Sequence, residues 1–460
     1  MATTAQEKTL IGYMPSDVPS VGPLVSLGLQ QVLTMFPATV LVAILTKFDV
    51  GVTLLASGLG TIIALLVSGR RIPMYYGSSF SYISVVVTGM SLYAKDCFTS
   101  SAVYCPDGVR LVQVGIIGTA ILEILIGILI MQVGKQALDR VLPPIITGSV
   151  AIVIGIALAG AALNNASANW AVALITLVVT VGFSVYLQNR GLLGMLPILL
   201  GAVAGYLVAI PFGLIKFDAV GTADWLRMPA ITLPAFEDPR AWGMVLSIAL
   251  IAIATVPEST AHLYQMSLYI DQLAKELGRA PLEIKKLIGL NLVADGCDDV
   301  VVGLLGGCAG TNYGENNSLM AITRNYSVAV LMAAGVIAIL LGFVGKLAAL
   351  VNTIPVAVAG GLSIYLFGVI GMQGVALIQS EKVNLFDPRQ LAIGATILVT
   401  GIGGAMGLKD GLYPFQIPVL FPNGIPAIVF AAIAGIVLNL IFLLLPPSMF
   451  GVKERENINL

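Results

Sequence analysis

Charge and histidine are what this chain has least of. Charged residues make up 10% of it against 58% hydrophobic, with a mean hydropathy of +0.97, whereas soluble domains carry roughly 25% charged residues. An ordinary soluble domain is excluded. One histidine and four cysteines, the latter in no metal-ligand spacing, leave no set of side chains for a metal centre. A formal net charge of −1 without a basic cluster argues against nucleic acid as a partner. The segment before the first apolar run, which begins near Val21, has a single cation, Lys8, and no small-residue cleavage site follows it. No removable signal peptide is expected.

What the chain has instead is long apolar runs and glycine. Runs of about 17–25 apolar residues lie near 22–46, 50–68, 76–93, 111–133, 143–163, 170–188, 192–214, 241–264, 286–305, 311–323, 327–350, 355–378, 390–407 and 424–446. The expected fold is an all-α polytopic membrane protein of about fourteen spans with both termini on one side. Of the 23 Lys and Arg, about fifteen then fall on the side of the termini and about eight on the other, which places both termini in the cytoplasm. Cys97 and Cys105 share one outer loop, where they either form a disulfide or remain free thiols. The 50 glycines exceed the roughly 7% norm, as close helix crossings and helix breaks require.

An even division leaves seven spans in each half, joined by the polar stretch 216–240. An odd number per half forces the second half to run inverted, the arrangement of many secondary transporters around a midplane site. Such sites are formed by short or glycine-interrupted spans. The third span of each half fits this pattern, with Tyr75-Tyr76-Gly77-Ser78-Ser79-Phe80 opening span 3 and a stretch from Gly306 through Gly310 to Asn316 opening span 10. Both read as short extended segments leading into half-helices. The first N–H groups of a helix lack internal partners and carry the positive end of its dipole, so the backbone amides near Phe80 and Gly314 are candidate donors.

His262 lies four residues after Glu258 in an otherwise apolar run, on the same helical face. An ionisable group near a bilayer's centre costs roughly 2.5–3.5 kcal/mol, which suggests a site. Pro257 is expected to mark a bend there. Glu315 follows the second break directly and is expected to be a second buried carboxylate. Two carboxylates facing amide donors match a planar molecule with N–H and C=O groups on its edge. The same cluster is placed to hold a coupling proton, with sodium as the alternative ion. Asp295, Asp298 and Asp299 on span 9 and Glu123 on span 4 compete for that role.

Four segments carry a resemblance: GSSFSYIS (77–84), VPESTAH (256–262), NYGENNSLMAITR (312–324) and VGKLAALVNTIPVAVAGGLSIYLFGVIG (344–371). They resemble the nucleobase/ascorbate transporter family in its bacterial uracil permease branch, and the similarity runs from about Pro23 to Leu445. The family's signature in span 10 reads here from Glu315-Asn316 to Thr323-Arg324. Three features depart from the pattern. Gln30-Gln31 stand where the family has Gln-His, Asn317-Ser318 replace an apolar residue and glycine, and Asp298-Asp299 make span 9 unusually acidic, in an outward-facing or ion-linked role.

The resemblance implies two inverted seven-span repeats arranged as a core domain (21–140 and 241–350) and a gate domain (141–215 and 351–446). An extracytoplasmic connection (216–240) and cytoplasmic tails (1–20 and 447–460) complete the chain. It further implies a nucleobase held between the domains. Glu258 and Glu315 would hydrogen-bond it, the amides of Phe80 and Gly314 would meet its carbonyls, and Tyr313 and Phe367 would supply apolar walls. His262 would support Glu258 or take part in proton coupling. Glutamate rather than glutamine at position 315 favours uracil over xanthine or urate. The expected activity is proton-coupled import of uracil across the plasma membrane, with no cofactor, no enzymatic step, the lipid bilayer as surroundings and a homodimer through the gate domain. The alternatives are a xanthine or urate permease, and an anion transporter or channel of the same fold. A membrane-embedded enzyme is disfavoured, since no nucleophile accompanies the Glu/His pair.

Overall fold

The computed structural model describes residues 12–99, 103–134, 140–187, 190, 193–194, 196–417, 421 and 424–446. Residues 1–11 and 447–460, with Lys8, Lys453 and Arg455 of the expected tails, lie outside the described residues, as does Lys135.

The chain is mostly helical, and its helices follow the apolar runs. In the first half they are α1 (Val21–Thr46), α2 (Val50–Val67), α3 (Ile83–Tyr93), α4 (Pro106–Val133), α5 (Pro144–Ala157), α6 (Ala159–Ser167), α7 (Trp170–Tyr186) and α8 (Pro197–Ala209). The second half holds α9 (Pro239–Ala249), α10 (Ala252–Glu276), α11 (Ile288–Leu305), α12 (Gly314–Thr323), α13 (Val328–Gly342), α14 (Val356–Ser380), α15 (Pro388–Leu398) and α16 (Ala427–Leu444). Short strands β1 (Tyr76–Ser78) and β2 (Gly310–Asn312) precede α3 and α12. Among the described residues, seven helical stretches are long and apolar enough to cross a bilayer, namely α1, α2, α4, α5 with α6, α14, α15 with its continuation to Gly407, and α16. Capping is local. The Asp49 carboxylate accepts from the Val52 N–H at 2.9 Å to open α2, and Asn169 accepts from Val172 at 3.1 Å to open α7.

Besides the third and tenth runs, which open with strands, several runs differ from a plain span, and two of them bear on the site. The fifth breaks at Leu158 into α5 and α6. The eighth breaks between α9 and α10, so Pro257, the expected bend, lies inside α10 instead. A proline this close to a helix start removes only one internal bond, and the break ahead of it relieves the rest. From His262 onward α10 continues to Glu276, because Leu263, Met266, Ile270 and Leu273 sustain a buried stripe.

The packing repeats when the first seven segments are exchanged with the last seven. Contact of α2 with α13 has its counterpart in α4 with α11, α1 with α13 in α4 with α9, and α7 with α8 in α15 with α16; α5 with α14 maps onto itself. Two groups result. One gathers α1 to α4 and α9 to α13, the other gathers α5 to α8 and α14 to α16, and between them the contacts are few, chiefly α10 on α5. Close helix approach needs glycine at the crossings. A Cβ on Gly58 of α2 would lie 2.4 Å from the Gly335 carbonyl of α13, and one on Gly155 of α5 would lie 2.5 Å from the Phe367 carbonyl of α14.

Cys97 and Cys105 are disulfide-bonded. The Cys105 N–H donates to the Lys47 carbonyl just beyond the end of α1, so the bridge sits at the end of the molecule opposite residues 12–20.

Candidate functional site

Two breaks in the helical chain meet at the centre of the first group. Strands β1 and β2 pair antiparallel with Gly77 opposite Thr311. The pairing extends at both ends, as Ser79 N–H donates to the Ala309 carbonyl and Tyr313 N–H to the Tyr75 carbonyl, each at 2.9 Å. Side chains of α2 complete the backbone, with Ser57 and Thr61 hydroxyls donating to the Tyr76 carbonyl at 2.7 and 3.0 Å. Extended backbone at membrane depth is tolerated only when enclosed this way. The Tyr313 ring lies against Gly77, where a Cβ would come 2.6 Å from its Cζ, and its hydroxyl donates to the Ser78 carbonyl at 2.9 Å while accepting from Thr39. From this crossing the turn at Phe80–Tyr82 leads into α3, and Gly314 opens α12. Two helix N-termini therefore start side by side.

The face of α10 that carries Glu258 packs against this crossing. His262 Nδ1 lies 2.9 Å from the Asn312 backbone carbonyl and 2.7 Å from its side-chain oxygen. Both partners accept, so Nδ1 bears the hydrogen. The Asn312 amide in turn donates to the Ser259 hydroxyl at 2.6 Å, and Asn291 of α11 donates to the same oxygen at 2.8 Å. Histidine thus fastens α10 to the second break. Its Nε2 occupies the space beside Gly314, where a Cβ would lie 2.8 Å away.

A cavity of about 570 Å³ opens where the two helix groups face each other. Glu258, His262, Phe80, Tyr313, Gly314 and Glu315 all line it. Glu315, expected to be buried, is exposed, because the first turn of α12 projects it into this open space; Glu258 is half-buried. Phe367, the remaining expected wall residue, is buried in α14 against α5 and is not among the lining residues. Its place is taken one and two turns on by Ile370 and Gln373 of α14, with Thr147 and Ala151 of α5 beside them. The lining reaches Gln265 and Ser380, toward the end of the molecule where Arg279 pairs with Asp17 at 2.7 Å. Gln265 was legible from spacing, since positions 258, 261, 262 and 265 share a helical face. Thr147 and Gln373 carried no such signal.

Comparison with known proteins decides the family. The model of a permease family, the xanthine and uracil permeases, matches residues 22–409. A uracil permease of Bacillus caldolyticus is 36% identical over 92% of this chain and 93% of its own length. That of Bacillus subtilis (strain 168) is 34% identical over 96% and 98%, and that of Escherichia coli (strain K12) 34% identical over 85% and 87%. The chain belongs to the xanthine/uracil permease family. It is a membrane permease and not an enzyme. Among solved structures, the transmembrane domain of the cyanobacterial bicarbonate transporter BicA is similar with a TM-score of 0.56 at 15% identity, covering 94% of this chain and all of that one. Murine Slc26a9, an anion transporter in the inward-facing state, gives 0.63 at 12% identity over 99% of this chain and 74% of that one. These two share the fold.

The structure gives partners to Gln31 and Ser318, two of the residues by which this permease departs from its family pattern, and none among the described residues to the buried side-chain amide of Asn317. Asn316 of α12 donates to the Gln31 backbone carbonyl and to its side-chain oxygen at 3.0 and 2.7 Å, so Gln31 holds α12 against α1. Ser318 lines the cavity and donates to the Gly314 carbonyl at 3.0 Å, while Asn317 is buried. The acidic pair of α11 does not face outward. Asp298 and Asp299 are both fully buried, as are Asp295 and Glu123, and none lines the cavity. Asp298 is wedged between α2 and β2, where a Cβ on Gly60 or Gly310 would lie 1.9 or 2.9 Å from its oxygens. Glu123 of α4 accepts from the Thr255 hydroxyl.

Proposed function

We propose that this permease imports a nucleobase, uracil in the first place, by proton symport. Supporting this reading is one arrangement: two carboxylates, Glu258 and Glu315, and two helix N-termini at Phe80 and Gly314 surround one cavity between two helix groups. The carboxylates offer acceptors for ring N–H groups and the helix-start amides offer donors for ring carbonyls, the pattern on the edge of a pyrimidinedione. Tyr313 adds an apolar face. The relatives named as uracil permeases support the same base. His262, bonded through Nδ1 to the second break, and the two carboxylates are the groups proposed to carry the coupling proton.

The exchange-related packing supports two inverted seven-span repeats. The two helix groups serve as a core (α1 to α4, α9 to α13) and a gate (α5 to α8, α14 to α16), and the core moves against the gate in alternating access. With both termini in the cytoplasm, the disulfide at the opposite end stands on the oxidising face of the plasma membrane, and the cavity opens inward. A homodimer through the gate is part of the same proposal.

Glu258→Ala or Glu315→Ala is expected to abolish uptake of labelled uracil by cells, a loss of about 100-fold or more, while the protein still reaches the membrane. Normal uptake by either variant removes the assignment. Competition by unlabelled xanthine and urate tests the choice of base, and comparison of a protonophore with sodium removal tests the ion. The fold is shared with anion transporters, yet the lining includes two glutamates and no lysine or arginine among the described residues, which disfavours an anionic substrate.

A further inference from the structure

We propose that Asp299 is a positioning residue of the binding site, a carboxylate clamp that holds both helix-start donors in register from behind. Its two oxygens reach two different chain breaks. Oδ1 accepts the Gly310 N–H at 2.7 Å, at the start of β2 and four residues before the opening of α12. Oδ2 accepts the Tyr82 hydroxyl at 3.0 Å, in the turn that begins with Phe80. The Asp299 and Tyr82 side chains are both buried from solvent, so each bond is made away from water, where loss of one partner costs most. Strand pairing fixes β1 to β2 and ends at the bond from Ser79 N–H to the Ala309 carbonyl, one residue before the turn at Phe80–Tyr82. The clamp spans that gap. It also accounts for the acidic residue itself: a carboxylate accepts from an N–H and an O–H at once with charge-assisted bonds, whereas an amide must turn its NH2 toward one of the two partners and an apolar side chain bonds neither.

The inference rests on the nucleobase reading for its ligand test, and it has a second test that needs no ligand. In membrane vesicles, Tyr82→Phe and Asp299→Asn are each expected to raise the KM for uracil about tenfold with Vmax within about twofold. The double variant should be no worse than the more severe single variant, because both act on the same Asp299–Tyr82 contact. Asp299→Ala, which also frees the Gly310 amide, should be more severe. In purified, ligand-free full-length protein, hydrogen exchange at residues 309–316 should quicken in Asp299→Ala relative to the native chain. Unchanged KM in both single variants, or strictly additive effects in the double, overturns the clamp, as does unchanged exchange at 309–316. If the native chain takes up no uracil while exchange quickens as expected, the clamp stands and the substrate reading fails.

Discussion

On the wall of the cavity built by α10, β2 and α12, polar side chains bond from one element to another; on the wall built by α5 and α14, glycine-packed helices present Ile370, Ala151 and hydroxyls such as Thr147 and Ser380 that bond only within their own helix. The first wall is a hydrogen-bonded frame in which His262, Asn312, Ser259 and Asn291 form a continuous chain. In the second, Gly148 and Gly155 bring α5 directly against the backbone of α14. A frame of buried hydrogen bonds holds a fixed geometry, while a seam of small residues lets two helices of the same group pack closely. The hydrogen-bonded frame and the glycine-packed seam thus lie on different sides of one cavity.

This contrast is open to direct challenge. The largest effect after loss of the carboxylates is expected at Gly314. An alanine there places its methyl 2.8 Å from His262 Nε2 and should reduce uracil uptake about 10-fold to 100-fold by displacing the start of α12. Gly368→Ala on α14, with nothing within 4 Å of the added carbon, should leave uptake unchanged. Next comes the seam itself. Gly155→Ala forces a contact of 2.5 Å with α14 and should destabilise the protein by about 1–3 kcal/mol, read as a lower melting temperature in detergent. If Gly155→Ala instead raised KM and spared stability, the division between the two walls would be wrong. The smallest effect is expected at Gln373, which lines the gate wall. Gln373→Ala should change KM for uracil by about twofold to threefold, in contrast to the loss at Glu258.

Much of the molecule was legible before any coordinates. Among the described residues most apolar runs became a helix or a pair of helices, because a chain crossing lipid must satisfy its backbone within the segment unless another segment encloses it, as β1 and β2 do for each other. The two interruptions at Gly77 and Gly310 were legible from glycine and polar clusters inside apolar runs, and they do meet. Glu258, His262 and Glu315 all line one cavity, Glu258 and His262 sharing the helical face that their i,i+4 spacing predicts, and Glu315 exposed rather than buried. Phe367 does not line it, since a position on α14 is set by how α14 rotates against α5, and hydropathy is blind to rotation. The break before α10 rather than at Pro257 was equally invisible, as a proline reports a missing donor and not where a helix relieves it.

Hydropathy and charge alone decided that this is a polytopic membrane protein, because burying its apolar residues in any other way would leave most of them in water. Family motifs added which face carries the carboxylates. What packing alone decided is which atoms partner which. That His262 fastens Asn312, that Gln31 holds Asn316 and that Asp299 joins Tyr82 to Gly310 are contacts between segments far apart in the chain. Hydrogen bonds are directional and short-ranged, so such pairs exist only once the two halves have crossed.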